Sequence, residues 1–341
     1  MKICDDFTVN AMAYNTEYGL VDPYGGKNDL KDKIIRCVGN PDTRFNEDAL
    51  RILRALRFAS VYGFSIEENT SKSIFKNADL LKNIATERVI SEFLKLICGK
   101  DAVKILDAYR ETIAVIIPEI TVMFNFNQNN IHHSYDLWQH TLTALGTIEP
   151  NPILRMTMLL HDIGKPSVKT TDNSGQSHFQ GHQLESKRIA DKILHRLRLP
   201  SDFINKILLL IEYHDVRFNG SKKLMKKVMN VLGTDLTKLL LEVEYADISA
   251  QSEYQREEKL GYLETAKTHL NEIIKDNECF KLSQLDINGK DVLNLGVKEG
   301  RDVGNILDYL LMLVVDASVP NKKSILISKA KEYIYGNQIN K

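Results

Sequence analysis

The chain has 341 residues, 43% hydrophobic and 26% charged, a length that allows about two globular domains. Forty-five Lys and Arg balance forty-five Asp and Glu, so no global field draws it to nucleic acid or membrane; any RNA contact must be a local patch. Four scattered cysteines (Cys4, Cys37, Cys98, Cys279) exclude a disulfide framework or a thiolate zinc site of usual spacing, and with no long apolar run or signal-peptide core the expectation is a soluble, cytoplasmic protein without a membrane partner.

Asp6–Tyr14 and Ile34–Val38 read as short strands, punctuated by Gly19, Pro23 and Gly25-Gly26. Two or three such strands make no independent sheet, so they either pack on the following helices or end a sheet begun elsewhere. From Asn46 the pattern is helical. A first helix is predicted over Glu47–Tyr62, with Leu50, Leu53 and Leu56 on one stripe and Arg51, Arg54 and Arg57 beside it. Further helices are predicted at Ile66–Lys76, Ala85–Cys98, Ala102–Thr112, Asp136–Thr147, Pro152–His161, His182–Leu197 and Ser201–His214. Ser221–Leu232, Leu236–Ser252, Tyr254–Lys275, Val303–Val315 and Lys322–Tyr335 follow. The fold class is therefore mainly α. The Asn-rich run at 125–130 and the Pro150-Asn151-Pro152 break are the clearest boundaries.

Eight of nine histidines lie between His132 and His214. His140 sits mid-helix, His161-Asp162 ends a helix, His182 opens one, His214 ends one and Asp247 lies on a later one. Imidazole and carboxylate donors suit a divalent transition metal, with positions left for water and a phosphate oxygen. Lys165, just beyond, could offset phosphate charge. Singly, such histidines are usually surface or core residues; the order is what tells. That order resembles the HD superfamily of metal-dependent phosphohydrolases, an all-helical fold. The resemblance implies His140, His161, Asp162, His182, His214 and Asp247 as ligands of Ni²⁺, Mn²⁺, Co²⁺ or Fe²⁺. It also implies His161, Asp162 and Lys165 as catalytic groups, or else a degenerate helical scaffold.

A second constellation, Glu47-Asp48-Ala49-Leu50-Arg51-Ile52-Leu53-Arg54, has the form E-D-x-x-R-x-x-R. On one helix Asp48 and Arg51 would face the same way and offer acceptor and donors to a nucleobase edge. A surface salt-bridge ladder is the competing reading. Upstream stand Asp6-Phe7-Thr8-Val9-Asn10-Ala11-Met12-Ala13 and Gly19-Leu20-Val21-Asp22-Pro23-Tyr24-Gly25-Gly26. Together these resemble the class II tRNA nucleotidyltransferase family, the CCA-adding enzymes and their poly(A) polymerase relatives. Matches continue at Arg44-Phe45, Leu53–Ala59, His133, Tyr135-Asp136, Trp138, His178-Phe179, Gly181-His182, Ala246-Asp247, Gln251 and Ile287–Asp291 with Gly296, Gly300 and Gly304.

The resemblance implies that Asp48 and Arg51 select CTP or ATP, with Arg54 in support, for addition to tRNA under Mg²⁺. It implies a head remnant over 1–38, a helical neck over 39–124, an HD domain over 125–255 and a helical tail over 256–341. The family's Asp-x-Asp metal pair and Gly-Ser turn precede the stretch matching Asp6–Ala13, so the catalytic head is expected to be missing here or supplied separately. The family's Arg-Arg-Asp-Phe-Thr stands here as Cys4-Asp5-Asp6-Phe7-Thr8, and adjacent strand residues such as Asp5 and Asp6 point to opposite faces. Without paired carboxylates, the chain alone is expected not to transfer nucleotides. A free-standing hydrolase of nucleotides or 2′,3′-cyclic phosphates and a non-catalytic RNA-binding module remain open. Lys222, Lys223, Lys226 and Lys227 read as a basic face, either solvated or meeting a phosphate backbone. Gly296–Gly304 could cradle a phosphate or make packing turns.

Overall fold

A computed structural model describes residues 6–17, 19–132, 134–298 and 300–338. Helix accounts for 65% of it, which makes the fold mainly α as expected. The segment read as a strand over Asp6–Tyr14 is instead a 3₁₀ turn, Thr8–Asn10, followed by a hairpin of β1 (Ala13–Asn15) and β2 (Gly19–Val21). A single antiparallel bridge, Phe7 with Cys37, joins it to the segment read as a strand over Ile34–Val38, and Thr8 Oγ1 donates to Asp29 at 2.6 Å. Helix α1 (Gly26–Asp32) was not predicted. Its polar sequence carries no apolar period, and it is nucleated by Asp22, which accepts the Gly26 and Lys27 N–H groups at 2.7 and 2.9 Å. Strand β3 (Ile34–Ile35) then pairs in parallel with β4 (Ser65–Ile66), across α2 (Pro41–Glu47) and α3 (Leu50–Tyr62).

The break between α2 and α3 overturns the single helix expected from Glu47. Asp48 is extended (φ −152°, ψ 102°), and its Oδ1 accepts the Leu50 N–H at 3.1 Å. An aspartate competes for backbone donors in this way and starts a helix better than it continues one. Next come α4 (Glu68–Asn77), α5 (Thr86–Ile97), α6 (Ala102–Ala108) and α7 (Arg110–Ala114), the last two replacing one predicted helix. Helices α8 (Leu137–Thr147), α9 (Pro152–Leu160) and α10 (Lys165–Val168) lead to the hairpin β5 (Thr170–Thr171) and β6 (Ser177–His178). Beyond it are α11 (His182–Arg196), α12 (Ser201–Tyr213) and α13 (Lys222–Ala250). Within α13 the two helices predicted over Ser221–Leu232 and Leu236–Ser252 are present, separated by non-helical backbone at Gly233 (φ 71°, ψ 172°), a conformation open to glycine. Helices α14 (Arg256–Lys275), α15 (Gly289–Leu293), α16 (Arg301–Val315) and α17 (Lys323–Gln338) complete the chain.

Two compact units emerge. The first comprises 1–215 and 242–256, the second 216–241 and 257–341. In the first, α3 packs on α5, α8 and α12 pack on α9, and α11 packs on α12, around buried Phe7, Phe45, Phe93 and Trp138. In the second, Ile306, Leu310 and Val314 of α16 meet Val292 of α15 and Leu326 and Ala330 of α17. Those α16 residues are core, as their spacing predicts.

Candidate functional site

Five helix boundaries in the first unit converge on one buried cluster. Asp136 caps α8 through the Gln139 N–H (2.8 Å) and sets the helix that carries His140. Asn151 caps α9, with Pro152 in its first turn, so that the helix ends at His161. Gly164 follows. A Cβ there would lie 2.5 Å from the Ser186 nitrogen and 2.8 Å from the His182 carbonyl, so only glycine lets this turn press onto α11. His182 opens α11, His214 ends α12 and Asp247 lies on α13. All six expected ligand residues therefore come together, and the histidines and Asp162 are buried.

The histidines share one orientation. Their Nδ1 atoms face backbone carbonyls: Met158 for His161 (2.7 Å), Phe179 for His182 (2.9 Å), Ile211 for His214 (2.6 Å) and Ala250 for His140 (3.3 Å). A carbonyl can only accept, so each Nδ1 carries the proton and each Nε2 turns a lone pair inward. His182 and His214 bring those nitrogens within 3.2 Å of each other. Donor atoms form two groups that share Asp162: His140, His161, Asp162 and Asp247, and Asp162, His182 and His214, each within 4.8 Å. His161 Nε2 and both Asp162 oxygens lack a hydrogen bond of good geometry, although Lys165 Nζ lies 2.7 Å from Oδ2 as an ion contact. Facing lone pairs and orphaned buried oxygens call for a cation. Imidazole nitrogens with carboxylate oxygens are the donor set that borderline divalent ions favour, so the residues fit the metal expected.

Without an ion the neighbouring carboxylates keep a proton on His161 Nε2, the position a cation would take in its place. Burial disfavours an ionised Asp162, yet His161 and Lys165 overcome it and hold the carboxyl well below its usual range. Burial likewise opposes a charged His161, and Asp162 and Asp247 raise its pKa to about 10. Asp247 is also held low against its burial, by His140 and His161. Lys165 is itself buried and donates to Gln128 Oε1 at 3.1 Å. Its ammonium is thus occupied by Asp162 and Gln128. Beneath Asp247, Glu244 is buried, with Oε1 unpartnered; burial and the carboxylates of Asp247 and Asp215 push its pKa well up.

The E-D-x-x-R-x-x-R residues form a different kind of site. Asp48 and Arg51 make no ion pair with each other. Arg51 Nη1 donates to the Arg44 carbonyl and to Glu47 Oε2, both at 2.8 Å. No acceptor among the described residues takes its Nε or Nη2. Asp48 Oδ2 accepts from Arg88 Nη2 of α5 at 2.9 Å. Burial works against the Asp48 carboxylate, but Arg88 and the Leu50 N–H hold it below its ordinary pKa. Arg54 pairs with Asp6, whose other oxygen takes the Phe7 N–H at 3.1 Å. Asp6 is therefore committed to structure, while Cys4, Asp5 and His133 lie outside the described residues. No pair of carboxylates for Mg²⁺ stands at this end among the described residues.

The basic face is closed internally. Lys222 and Lys226 pair with Glu278 at 2.5 and 2.7 Å, Lys222 also with Glu272, and Lys223 and Lys227 with Asp316 at 3.1 Å each. Gly300 caps α16 with φ 107°, a turn that glycine tolerates. Sequence reasoning missed Arg88, forty positions from Asp48, and Gln128; neither has a spacing signal.

Among the described residues no helix is long and apolar enough to cross a membrane. Three family models match the chain: the poly A polymerase head domain over residues 4–36, the RNA and SrmB-binding site of polymerase A over 63–124, and tRNA nucleotidyltransferase domain 2 over 182–330. The chain belongs to the class II tRNA nucleotidyltransferase and poly(A) polymerase family, an enzyme family. It is 29% identical over 338 residues to the CCA-adding enzyme of Ligilactobacillus salivarius, covering 96% of this chain and 70% of that one. It is 31% identical over 242 residues to the multifunctional CCA protein of Legionella pneumophila, covering 65% and 57%. The chain thus spans 57–70% of these relatives' lengths. The fold resembles the crystal structure of the Bacillus stearothermophilus CCA-adding enzyme in complex with CTP, with a TM-score of 0.70 and 23% identity over 99% of this chain and 75% of that one. His140, His161 and Asp162 fall between the matched segments.

Proposed function

We propose that this protein serves template-free nucleotide addition at the 3′ end of tRNA in the cytoplasm. Asp48 and Arg51 select CTP or ATP, and Arg54 braces the corner through Asp6. The neck over 39–124 carries selection, 125–255 forms the body and 256–341 the tail. One observation carries the reading: Asp48 and Arg51 are each fixed by separate protein partners rather than by each other, which leaves the Nε and Nη2 N–H groups of Arg51 without an acceptor among the described residues. Cytosine and adenine both present an amino group next to a ring nitrogen, which a carboxylate and a guanidinium can read together. Among the described residues no pair of carboxylates for Mg²⁺ stands beside Asp48 and Arg51. Equilibrium dialysis should show CTP and ATP binding tighter than UTP and GTP, with the preference lost in Asp48→Ala. Transfer is assayed with Mg²⁺, labelled CTP or ATP and tRNA lacking its CCA end, using the chain alone and with a relative's head domain added in trans. No preference in binding and no label in either arm would overturn the proposal.

A second reading is favoured by the inward-facing Nε2 atoms. The body holds one or two divalent ions (Ni²⁺, Mn²⁺, Co²⁺ or Fe²⁺) on His140, His161, Asp162, His182, His214 and Asp247, with Asp162 common to both. Such an ion supplies Lewis acidity toward a phosphoryl oxygen and makes water a nucleophile at neutral pH. Lys165 neutralises part of the Asp162 charge, and Gln128 fixes the lysine. Phosphoester hydrolysis is tested on 2′,3′-cyclic AMP and p-nitrophenyl phosphate with added Ni²⁺ or Co²⁺. Turnover abolished by Asp162→Ala supports it; none on any substrate leaves the cluster a metal-stabilised scaffold.

A further inference from the structure

Asp48 is held by a residue that lies outside its own motif. Its Oδ1 takes the Leu50 N–H at 3.1 Å from the start of α3, and its Oδ2 takes Arg88 Nη2 at 2.9 Å from the first turn of α5. The two donors fix both oxygens, and hence the plane of the carboxylate. Helix α5 is itself anchored, burying Val89, Ile90 and Phe93 against α3. Arg88 therefore reaches Asp48 from a rigid support, with its outer face in solvent.

We infer that Arg88 is a positioning residue for base selection: it sets the angle at which Asp48 presents its remaining lone pairs to the amino edge of the incoming base. The inference rests on the assignment of Asp48 and Arg51 to nucleotide selection. A carboxylate oxygen accepts more than one hydrogen bond, so Arg88 and a base amino group can share Oδ2. A base with a carbonyl at that edge meets a fixed acceptor with an acceptor and is rejected. Without Arg88 only the Leu50 N–H restrains the carboxylate. It then rotates toward any donor a base or water provides, and rejection weakens. The pair itself is half exposed and adds little to folding stability, so its removal should leave the fold intact.

The test measures the affinities of CTP, ATP, UTP and GTP for the full chain, in parallel with thermal melts. Arg88→Ala should weaken CTP and ATP by about fivefold to twentyfold and bring the CTP/UTP and ATP/GTP ratios to within about threefold of unity, as expected for one lost charge-assisted contact. The melting temperature should change little. Arg88→Lys, which keeps a charged donor without the planar fork, should recover part of the preference. In an Asp48→Ala background, Arg88→Ala should have no further effect, the signature of action through Asp48. Unchanged ratios in Arg88→Ala, while Asp48→Ala abolishes them, would overturn the inference and leave the selection assignment standing. Tighter binding in Arg88→Ala would overturn it too, since Arg88 would then compete with the base. A wild-type chain that shows no preference refutes the assignment itself, and the inference with it.

Discussion

The corner around Asp48 and the cluster around Asp162 hold similar charges in opposite conditions. At the corner, Asp48, Arg51 and Arg54 each have an opposite partner and face solvent in part. In the cluster, four imidazoles surround the buried Asp162, and His161 Nε2 and both Asp162 oxygens lack a hydrogen bond of good geometry. An exposed ion-pair network is complete when folded, because water satisfies what the protein leaves. A buried one is not, because an uncompensated polar atom there costs folding free energy. On the proposed reading the corner exchanges a ligand and the cluster retains one.

Metal content tests that contrast hardest. Protein purified without chelator should carry about one to two divalent ions per chain by elemental analysis, and Asp162→Ala, which removes the residue common to both donor groups, should carry almost none. Asp48→Ala should keep the full complement. An ion at roughly a hundred times its Kd adds about 2.7 kcal/mol, so chelation should lower Tm by about 5–10 °C at some 2–4 °C per kcal/mol. Equal, negligible metal in all three proteins would erase the distinction between the regions.

The reverse substitution gives the next largest effect. Asp48→Ala or Arg51→Ala should weaken CTP binding by about tenfold, each removing one charge-assisted hydrogen bond. Tm should scarcely move. A melting loss as large as that of chelation would mean the corner supports the fold rather than a ligand.

Helix existence was legible because amphipathic periods are local, and the meeting of the six His and Asp residues because their order along the chain is distinctive. What failed was what short polar side chains decide. Asp48 broke a helix whose apolar stripe runs on, and Asp22 capped one that has no stripe. The geometry of the corner departs from the expected one for the same reason. The spacing of Asp48 and Arg51 implies one shared helix face, whereas their actual partners, Arg88 and Glu47, are selected by tertiary packing and by the break. Lys165 was placed near the right charge but assigned to substrate; burial directs it to Asp162 instead.

A smaller effect concerns Glu244. Its folded pKa lies well above the ordinary 4.5, because burial and two neighbouring carboxylates favour the neutral acid. The folded state thus binds the proton more tightly than the unfolded chain does. Its contribution is fully present below about pH 4.5 and lost as pH rises toward the folded pKa. In chelator-treated protein, Glu244→Gln should be more stable than wild type at pH 8 and indistinguishable at pH 4, by denaturant melts. A constant difference across that range would show that Glu244 acts by packing alone.

The smallest effect is expected where the sequence invites the largest. Lys222, Lys223, Lys226 and Lys227 have the composition of a phosphate-binding face, and removing two phosphate contacts should flatten the salt dependence of tRNA binding by about 1.8 in log–log slope. Lys222 and Lys226, however, stand against Glu272 and Glu278, two cations against two carboxylates, with contacts of 2.5–3.0 Å. Glu278 is buried enough to be penalised for its charge and is still held below its usual pKa by these lysines. A phosphate would have to displace a carboxylate already in place, and no counterions are released for a charge that was never solvated alone. Lys222→Ala with Lys226→Ala should therefore leave both tRNA affinity and its salt slope unchanged by filter binding from 50 to 200 mM salt. The cost should appear in stability, because Glu278 loses both partners. A slope reduced by one or more would place these lysines, like the Asp48 corner, among the groups that wait for a ligand.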